Sequence, residues 1–345
     1  MRRILYNENH RLSHEHHDSR TIPGLFSREE RHLTRRFLSY LIVDPEQCST
    51  DDLLKTFAAI RRAKFKQNYR RQLISTGKSF SLWLAKKNPK INIQEIHEVE
   101  TPKTQWKTKK PEDMFTGDEL KQIIEAAWNN RDKCLLAMLY DGSNRPIELL
   151  RLKWRDIIFD EYGAYFITAA KTDKERRIRL TNISLPYLDI WRGKHPDPLP
   201  DQYVFCTINK SHIEGRKSIR PLTIDNVQRI IRDVKKRTGI QKLKASLFRP
   251  SRITADVKAG VELAYIMKKN WGSLKTKMID LYTNLDAGYM DEVALGAAGM
   301  ERKHTEKEKN IYKVEPPICP ACGEVNVLGA KYCKECRVGL TEEAQ

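Results

Sequence analysis

The sequence has no run of roughly 18 or more apolar residues, so a membrane-spanning helix is not expected. Its first residues, MRRILYNENHRLSHEHH, lack the apolar stretch and small-residue cleavage site of a secretory signal. Acidic residues are in deficit: 45 Asp and Glu against 63 Lys and Arg leave a formal charge of +18. The excess is spread along the chain, which argues against a single basic tail and for a long basic surface. Nucleic acid is the commonest partner for such a surface, because each neutralised phosphate releases condensed counterions. Cysteine is scarce, seven in 345 residues, and Cys48, Cys134 and Cys206 are scattered in apolar or mixed surroundings. No disulfide framework is suggested, and a reducing, cytoplasmic setting is the expectation. No internal repeat is visible, nor any carboxylate cluster of the kind that holds a catalytic metal.

What is present is helical periodicity in two blocks. Residues 1–23 are polar and aperiodic, with His10, His14, His16 and His17, and read as a disordered arm. Residues 24–95 read as an all-helical domain. Leu33, Phe37, Leu38 and Leu41 make a first apolar stripe, and further helices are predicted over Asp51–Ile60, Ala63–Ser75 and Lys78–Lys87. Arg61, Arg62, Lys64, Lys66, Arg70 and Arg71 crowd one region, suited to clamping a duplex or simply to being solvated. Residues 96–110 carry charge and a proline but little periodicity and read as an extended basic linker.

A second domain is placed over 111–290. Thr116 and Glu119 have capping-box spacing ahead of the stripe Leu120, Ile123, Ile124, Ala127 and Trp128. An apolar helix is predicted over Lys133–Leu139, a turn over Asp141–Asn144, and a helix from Arg145 to Leu152 with Pro146 in its first turn. Tyr165–Ala170 and Arg176–Leu180 read as a hairpin around Lys171–Lys174. A helix over Ile183–Trp191, a short strand over Tyr203–Cys206 and a basic helix over Ile224–Arg237, between Thr223 and Gly239, follow. The last block carries Arg249 at a helix start closed by Gly260, then Tyr282 in a further helical segment. The fold class is therefore α+β, mainly α with a small sheet. Residues 291–316 read as a charged connector and 317–340 as a small ribbon.

Five side chains of the second domain suit phosphodiester chemistry: Arg145, Lys171, Arg249, Trp271 and Tyr282. Two guanidinium forks can bind the non-bridging oxygens and offset charge in the transition state. A lysine on a turn can protonate a departing sugar oxygen, and a tyrosine hydroxyl can attack in line and hold the strand as a phosphotyrosine. Such chemistry requires no metal. Taken singly, each residue also has an ordinary structural role open to it.

Taken in order, they carry a family resemblance. Asn144-Arg145-Pro146-Ile147-Glu148-Leu149-Leu150-Arg151-Leu152-Lys153-Trp154-Arg155-Asp156 resembles the first arginine box of the tyrosine recombinases (phage integrases), of archaeal type. Leu247-Phe248-Arg249-Pro250-Ser251-Arg252 resembles the second box, and Trp271-Gly272 the family's His or Trp beside a glycine. Lys277 to Leu285, with Tyr282, resembles the nucleophile segment, and Lys171 the hairpin lysine, with Lys174 as runner-up. The resemblance implies a helical core-binding domain followed by a mixed catalytic domain. It implies a site-specific recombinase that cuts and rejoins duplex DNA, working as a homotetramer on two sites. It assigns Arg145 and Arg249 to the scissile phosphate and Glu148 to orienting Arg145. Lys171 would protonate the leaving 5′ oxygen, Trp271 would pack on or donate to the phosphate, and Tyr282 would bond the 3′ phosphate. Two positions depart from the pattern, Ser246 and Pro250, where histidines are usual. Losing one proton-transfer group typically slows a reaction ~10²–10⁴-fold, so a catalytically weakened, recombinase-like DNA-binding protein is the alternative. Arg252 reads as a structural or backbone-contacting residue.

Cys319, Cys322, Cys333 and Cys336 form two C-x-x-C knuckles of four-thiolate spacing. They predict a structural zinc ribbon, serving as a docking or extra DNA-contact module without a catalytic role. A zinc-ribbon transcription or RNA-associated factor would account for only this end and the charge.

Overall fold

The computed structural model describes residues 28–105, 110–169, 175–208, 219–283, 294–295, 297–300, 311–341 and 344. The arm read over 1–23 and the hairpin lysines Lys171 and Lys174 lie outside them, as does most of the connector. The chain divides into two compact units, Met1–Trp106 and Lys107–Gln345. Among the described residues no helix is long and apolar enough to cross a membrane.

The first unit is helical: α1 (Arg28–Leu38), α2 (Thr50–Arg62), α3 (Gln67–Ala85) and α4 (Ile93–Glu98). Ser49 caps α2, and Asp52 returns the bond to the Ser49 backbone, so two otherwise orphaned donors are satisfied. Phe37, Phe57, Leu73, Phe80 and Leu84 close the core. Two sequence expectations change here. The helices read over Ala63–Ser75 and Lys78–Lys87 are one, α3, because Gly77 is not a break but a contact. A Cβ there would lie 2.4 Å from the Phe37 ring, so glycine lets α1 and α3 meet. The linker read from Ile96 begins later. Ile96 is buried on α4 and Val99 follows it into the core. Lys78 Nζ donates to the carbonyls of His97 and Val99, and Gln67 and Asn68 donate to those of Lys103 and Gln105. A six-residue helix with one buried residue has no repeat for periodicity to detect.

The second unit is built round α6 (Asn130–Asp141), whose residues from Cys134 to Asp141 are all buried. It follows α5 (Gly117–Glu125), capped reciprocally by Thr116 and Glu119, and precedes the short α7 (Pro146–Leu150). Trp128, read onto the apolar face of α5, lies past the helix end and is exposed, with the Arg237 guanidinium over its ring. Strands β1 (Ile157–Asp160), β2 (Gly163–Ala169) and β3 (Glu175–Leu180) form an antiparallel sheet in that order. Phe166 sits opposite both Ile157 and Ile178. The hairpin is as predicted, but β1 is additional: only Ile157 of its four residues is buried, which leaves no alternation to see. The strand expected at Tyr203–Cys206 is reduced to two isolated bridges, Lys153↔Tyr203 and Cys206↔Pro221.

Helices α8 (Leu185–Lys194), α9 (Ile224–Thr238), α10 (Phe248–Lys258), α11 (Leu263–Trp271) and α12 (Asp280–Thr283) complete the unit. Helix α6 packs between α8 and α10, and β3 packs on α11. Helix α9 begins at the Thr223 cap and ends at Gly239 in the left-handed region, as the sequence indicated. Pro250 is the third residue of α10 rather than the first; the first-turn amides have no intrahelical acceptor, so a residue lacking N–H still fits. Behind α10, Arg252 pairs with Asp256 at 2.8 Å and reaches Asp141 at 3.8 Å, while Lys269 of α11 approaches Asp256 at 3.4 Å. Asp141 also accepts from Thr181 N and Ser184 Oγ. Arg252 thus ties α10 to α6, while Asp256 ties α10 to Lys269 of α11.

Candidate active site

Arg145 is thrown out by a stiff turn. Helix α6 ends at Gly142, Ser143 takes φ +49°, and Asn144 Nδ2 donates to the Met138 carbonyl. Arg145 then occupies the cap position of α7 with Pro146 behind it. Glu148, nearly buried, receives the Arg145 backbone N–H at 2.7 Å through one oxygen and Arg145 Nη1 at 2.9 Å through the other. The carboxylate therefore fixes both the backbone and the side chain of Arg145, while 42% of that side chain stays exposed to meet a ligand.

Arg249, second residue of α10, lies in the same cluster. Its Nη1 donates to the Ser143 carbonyl at 3.1 Å and its Nη2 to the Asn270 carbonyl. Its guanidinium carbon stands 5.5 Å from the centre of the Trp271 ring. Burial, and then the like charges of Arg145 and Arg176, push the Arg249 guanidinium down to about 9. A group depressed in this way is relieved by an anion.

Arg176 is the member of the cluster that no sequence box marked. It points inward from β3, ion-paired with Glu148 at 2.7 Å. Its phase was the available signal: Ile178 and Leu180 face the core, so period two places Arg176 there as well.

Trp271 ends α11 ahead of Gly272, which takes φ +64°. Tyr282 sits on α12 and its ring centre is 6.1 Å from that of Trp271. Both rings lie against the small apolar cluster of Ile253, Val257, Ile266 and Ile279. Trp271 thus touches the Arg249 guanidinium and the Tyr282 ring. Burial raises the Tyr282 phenol, while Arg249 and Arg145 pull it back, with a net rise. Among the described residues no imidazole acts on it. Ser246 is exposed in the turn Ala245–Leu247. His195, the one histidine of this unit among the described residues, is held by the Tyr203 carbonyl and flanked by Trp154 and Trp191.

The cysteine quartet forms a second, separate site. All four Sγ atoms lie within 4.8 Å of one another, with Cys319–Cys336 at 3.4 Å and Cys322–Cys333 at 3.6 Å. Four sulfurs about 2.3 Å from one ion would stand about 3.8 Å apart in a tetrahedron, so the donor set fits a thiolate-bound metal. The two knuckles are built alike. Gly323 N donates to Cys319 O and Arg337 N to Cys333 O, with both donors in the left-handed region. Asn326 bridges them, donating to Glu324 O and receiving Lys334 N.

This ribbon is not a loosely attached module. Leu328 is buried in the core of the second unit, with Val327, Tyr312 and Val314 packed against that core. Tyr187 Oη donates to the Leu328 carbonyl at 3.5 Å, and Gly117 N to the Ile311 carbonyl at 2.9 Å. A Cβ at Gly117 would come within 2.2 Å of the Lys313 carbonyl oxygen, so the strand of chain entering the ribbon lies directly on α5.

An α+β unit in which separate elements deliver two arginines, a tryptophan and a tyrosine to one cluster is of the class that the sequence boxes resemble. The chain belongs to the phage integrase family, whose profile matches residues 113–287. Transposase A from transposon Tn554 of Staphylococcus aureus (strain Mu50) is 28% identical over 161 residues, 44% of this chain and 43% of that protein. Tyrosine recombinase XerA of Pyrococcus furiosus is 26% identical over 180 residues, 52% of this chain and 59% of that protein. The chain thus spans about half the length of the curated relatives it matches. Among solved structures, the lambda integrase(75-356) dimer bound to a COC′ core site has a TM-score of 0.56 at 15% identity, covering 82% of this chain and 95% of that one. The XerH site-specific recombinase in its post-cleavage complex has a TM-score of 0.54 at 15% identity, covering 77% and 75%. At these identities the structures establish a shared fold.

Proposed function

We propose that the protein is a tyrosine-type site-specific DNA recombinase, acting on double-stranded DNA through a 3′-phosphotyrosyl intermediate. The observation that carries this reading is the meeting of Arg145, Arg249, Trp271 and Tyr282, from four separate elements, in one cluster, with Arg145 held by a carboxylate that Arg176 shares and Arg249 beside them. Arg145 and Arg249 bind the scissile phosphate, Glu148 orients Arg145, and Trp271 packs beside the phosphate. The Tyr282 oxygen attacks phosphorus, forming the Tyr–O–P bond as the bond to the 5′ oxygen breaks. Lys171 supplies the proton that the departing 5′ oxygen takes up. The adduct retains the bond energy, so a second 5′ hydroxyl can reverse the step on another strand. The helical unit clamps the duplex, a homotetramer engages two sites, and the protein works in the cytoplasm. Zinc held by Cys319, Cys322, Cys333 and Cys336 is structural.

The test is incubation with a nicked suicide duplex, followed by denaturing electrophoresis. A covalent protein–DNA band that Tyr282→Phe removes supports the enzyme. Specific duplex binding with no band at any pH would instead make this chain a DNA-binding relative without strand-transfer activity.

A pH profile follows from the missing histidines. With the phenol raised by burial and no imidazole beside it among the described residues, its proton leaves to solvent on this reading. The adduct rate is expected to climb steadily from about pH 6 to about pH 9, with no plateau above ~6.5 of the kind an imidazole base would give. Single-turnover rates across that range check this, and a plateau near neutrality would reveal a base supplied from elsewhere.

A further inference from the structure

We propose that Arg176 is a positioning residue for the phosphate-binding arginines, tying the Glu148 carboxylate to the carbonyls that close α11 and so fixing the separation and aim of Arg145 and Arg249. The proposal rests on the recombinase reading above. Arg176 reaches Glu148 Oε2 at 2.7 Å with Nη2, while its Nη1 donates to the Lys269 carbonyl at 3.0 Å and the Asn270 carbonyl at 3.2 Å. Each end of this strut is shared. Glu148 also holds Arg145, and the Asn270 carbonyl also receives Arg249. The run Arg145–Glu148–Arg176–Asn270 O–Arg249 is therefore continuous, and it joins α7, β3, α11 and α10.

Arg176 does not itself bind substrate, because its side chain is fully buried. Nor does it suit a role confined to fold stability. A buried ion pair is commonly no better than an apolar pair of the same volume. This one leaves Arg176 Nε without a hydrogen-bond partner, which is unfavourable in a buried site. It also sets a third positive charge where Arg249 is already depressed by its neighbours. An apolar residue continuing the Ile178 and Leu180 face would fill the same slot. What such a residue could not do is hold a carboxylate and two carbonyls at fixed spacing, and guanidinium geometry suits that task.

The experiment uses the full chain carrying Arg176→Met or Arg176→Lys, with Arg145→Ala as reference. Two readouts are taken: the adduct rate on the nicked duplex at saturating DNA, and the rise in unfolding midpoint produced by inorganic sulfate. The portion of that rise which Arg145→Ala removes reports the arginine cluster. Arg176→Met is expected to keep duplex affinity near wild type and to lower the ligand-free midpoint by only a few degrees, since the Lys269 carbonyl loses that donor while Glu148 keeps Arg145 and the Asn270 carbonyl keeps Arg249. It should lose the cluster's share of the sulfate rise and slow the adduct ~100-fold, the scale of a misplacement of about 1 Å. Arg176→Lys keeps the charge but cannot span all three acceptors. It is expected to fold even where the Met variant does not, and still to lack the sulfate response. Glu148→Gln combined with Arg176→Met should be little worse than either alone, since both cut the same strut. Wild-type adduct rate and sulfate response in both Arg176 variants would overturn the proposal, as would unfolding of both. Absence of any adduct from the wild type, with the sulfate response still lost on substitution, would sink the recombinase reading and leave the positioning role standing.

Discussion

Alanine at Arg249 is expected to slow formation of the protein–DNA adduct roughly 10²–10³-fold, the usual effect of removing one preorganised donor from a developing charge. Duplex affinity should fall only a few-fold, with the salt slope of binding shallower by about 0.9, because one phosphate contact among many is lost. The large effect on rate follows from geometry. Arg249 is aimed before any ligand arrives, with one arm on the Ser143 carbonyl and the other on the Asn270 carbonyl. Its half-buried charge is uncomfortable beside Arg145 and Arg176 until an anion enters. Lysine at this position restores a charge without the fork and should recover only part of the rate. The Ser143 carbonyl left without its donor would weaken the fold by about 1–3 kcal/mol, while the Asn270 carbonyl keeps Arg176, so urea unfolding of the variant separates lost chemistry from lost structure. An adduct rate within tenfold of wild type, in a folded variant, would remove Arg249 from the phosphate site.

Stripping metal from the cysteine quartet is expected to lower the unfolding midpoint of the whole second unit, not of the ribbon alone. Within the ribbon itself Cys319, Cys333, Leu328 and Asn326 are the buried residues among those described, too small a core to fold without a ligand. Once the knuckles open, Leu328 leaves the main core. Exposing one such side chain is worth about 1.5–3 kcal/mol, and a unit of this size shifts by roughly 2–4 °C per kcal/mol. A fall of roughly 5–10 °C follows for Cys319→Ser or chelator treatment, measured by scanning calorimetry alongside a metal content of about one ion per chain in the untreated protein. A metal-free protein that melts as the loaded one does would show that the ribbon docks without its ion. Leu328→Asp, which spares all four cysteines, should reproduce the fall while retaining the metal. That outcome separates docking from coordination.

Much of this was legible in the chain itself. The Thr116–Glu119 box, the Thr223 cap on Asn226 N and the Gly239 N–H on the Lys235 carbonyl act through bonds three or four residues apart, so the sequence places those helix ends correctly. Lys171 lies outside the described residues, and the roles of the other boxes remain for the experiments above. Less legible was whatever depends on a distant partner. Two helices are read, Ala63–Ser75 and Lys78–Lys87, where the structure has one, because what Gly77 fits against, the Phe37 ring, is forty residues away. Ile96 reads as linker because one buried residue makes no pattern. The ribbon reads as an appendage because Leu328 finds its neighbours on helices more than a hundred residues earlier.

By itself the sequence determined the periodicities, the caps, the thiol spacing and the order of the chemical residues, all set by short-range geometry along the backbone. Only the tertiary structure decided that Glu148 serves two arginines, that Arg176 turns inward to join them, and that one carbonyl of Asn270 receives two guanidiniums. The physical reason is that burial lowers the local dielectric and makes the placement of each charge depend on all the others around it. No stretch of chain carries that information alone.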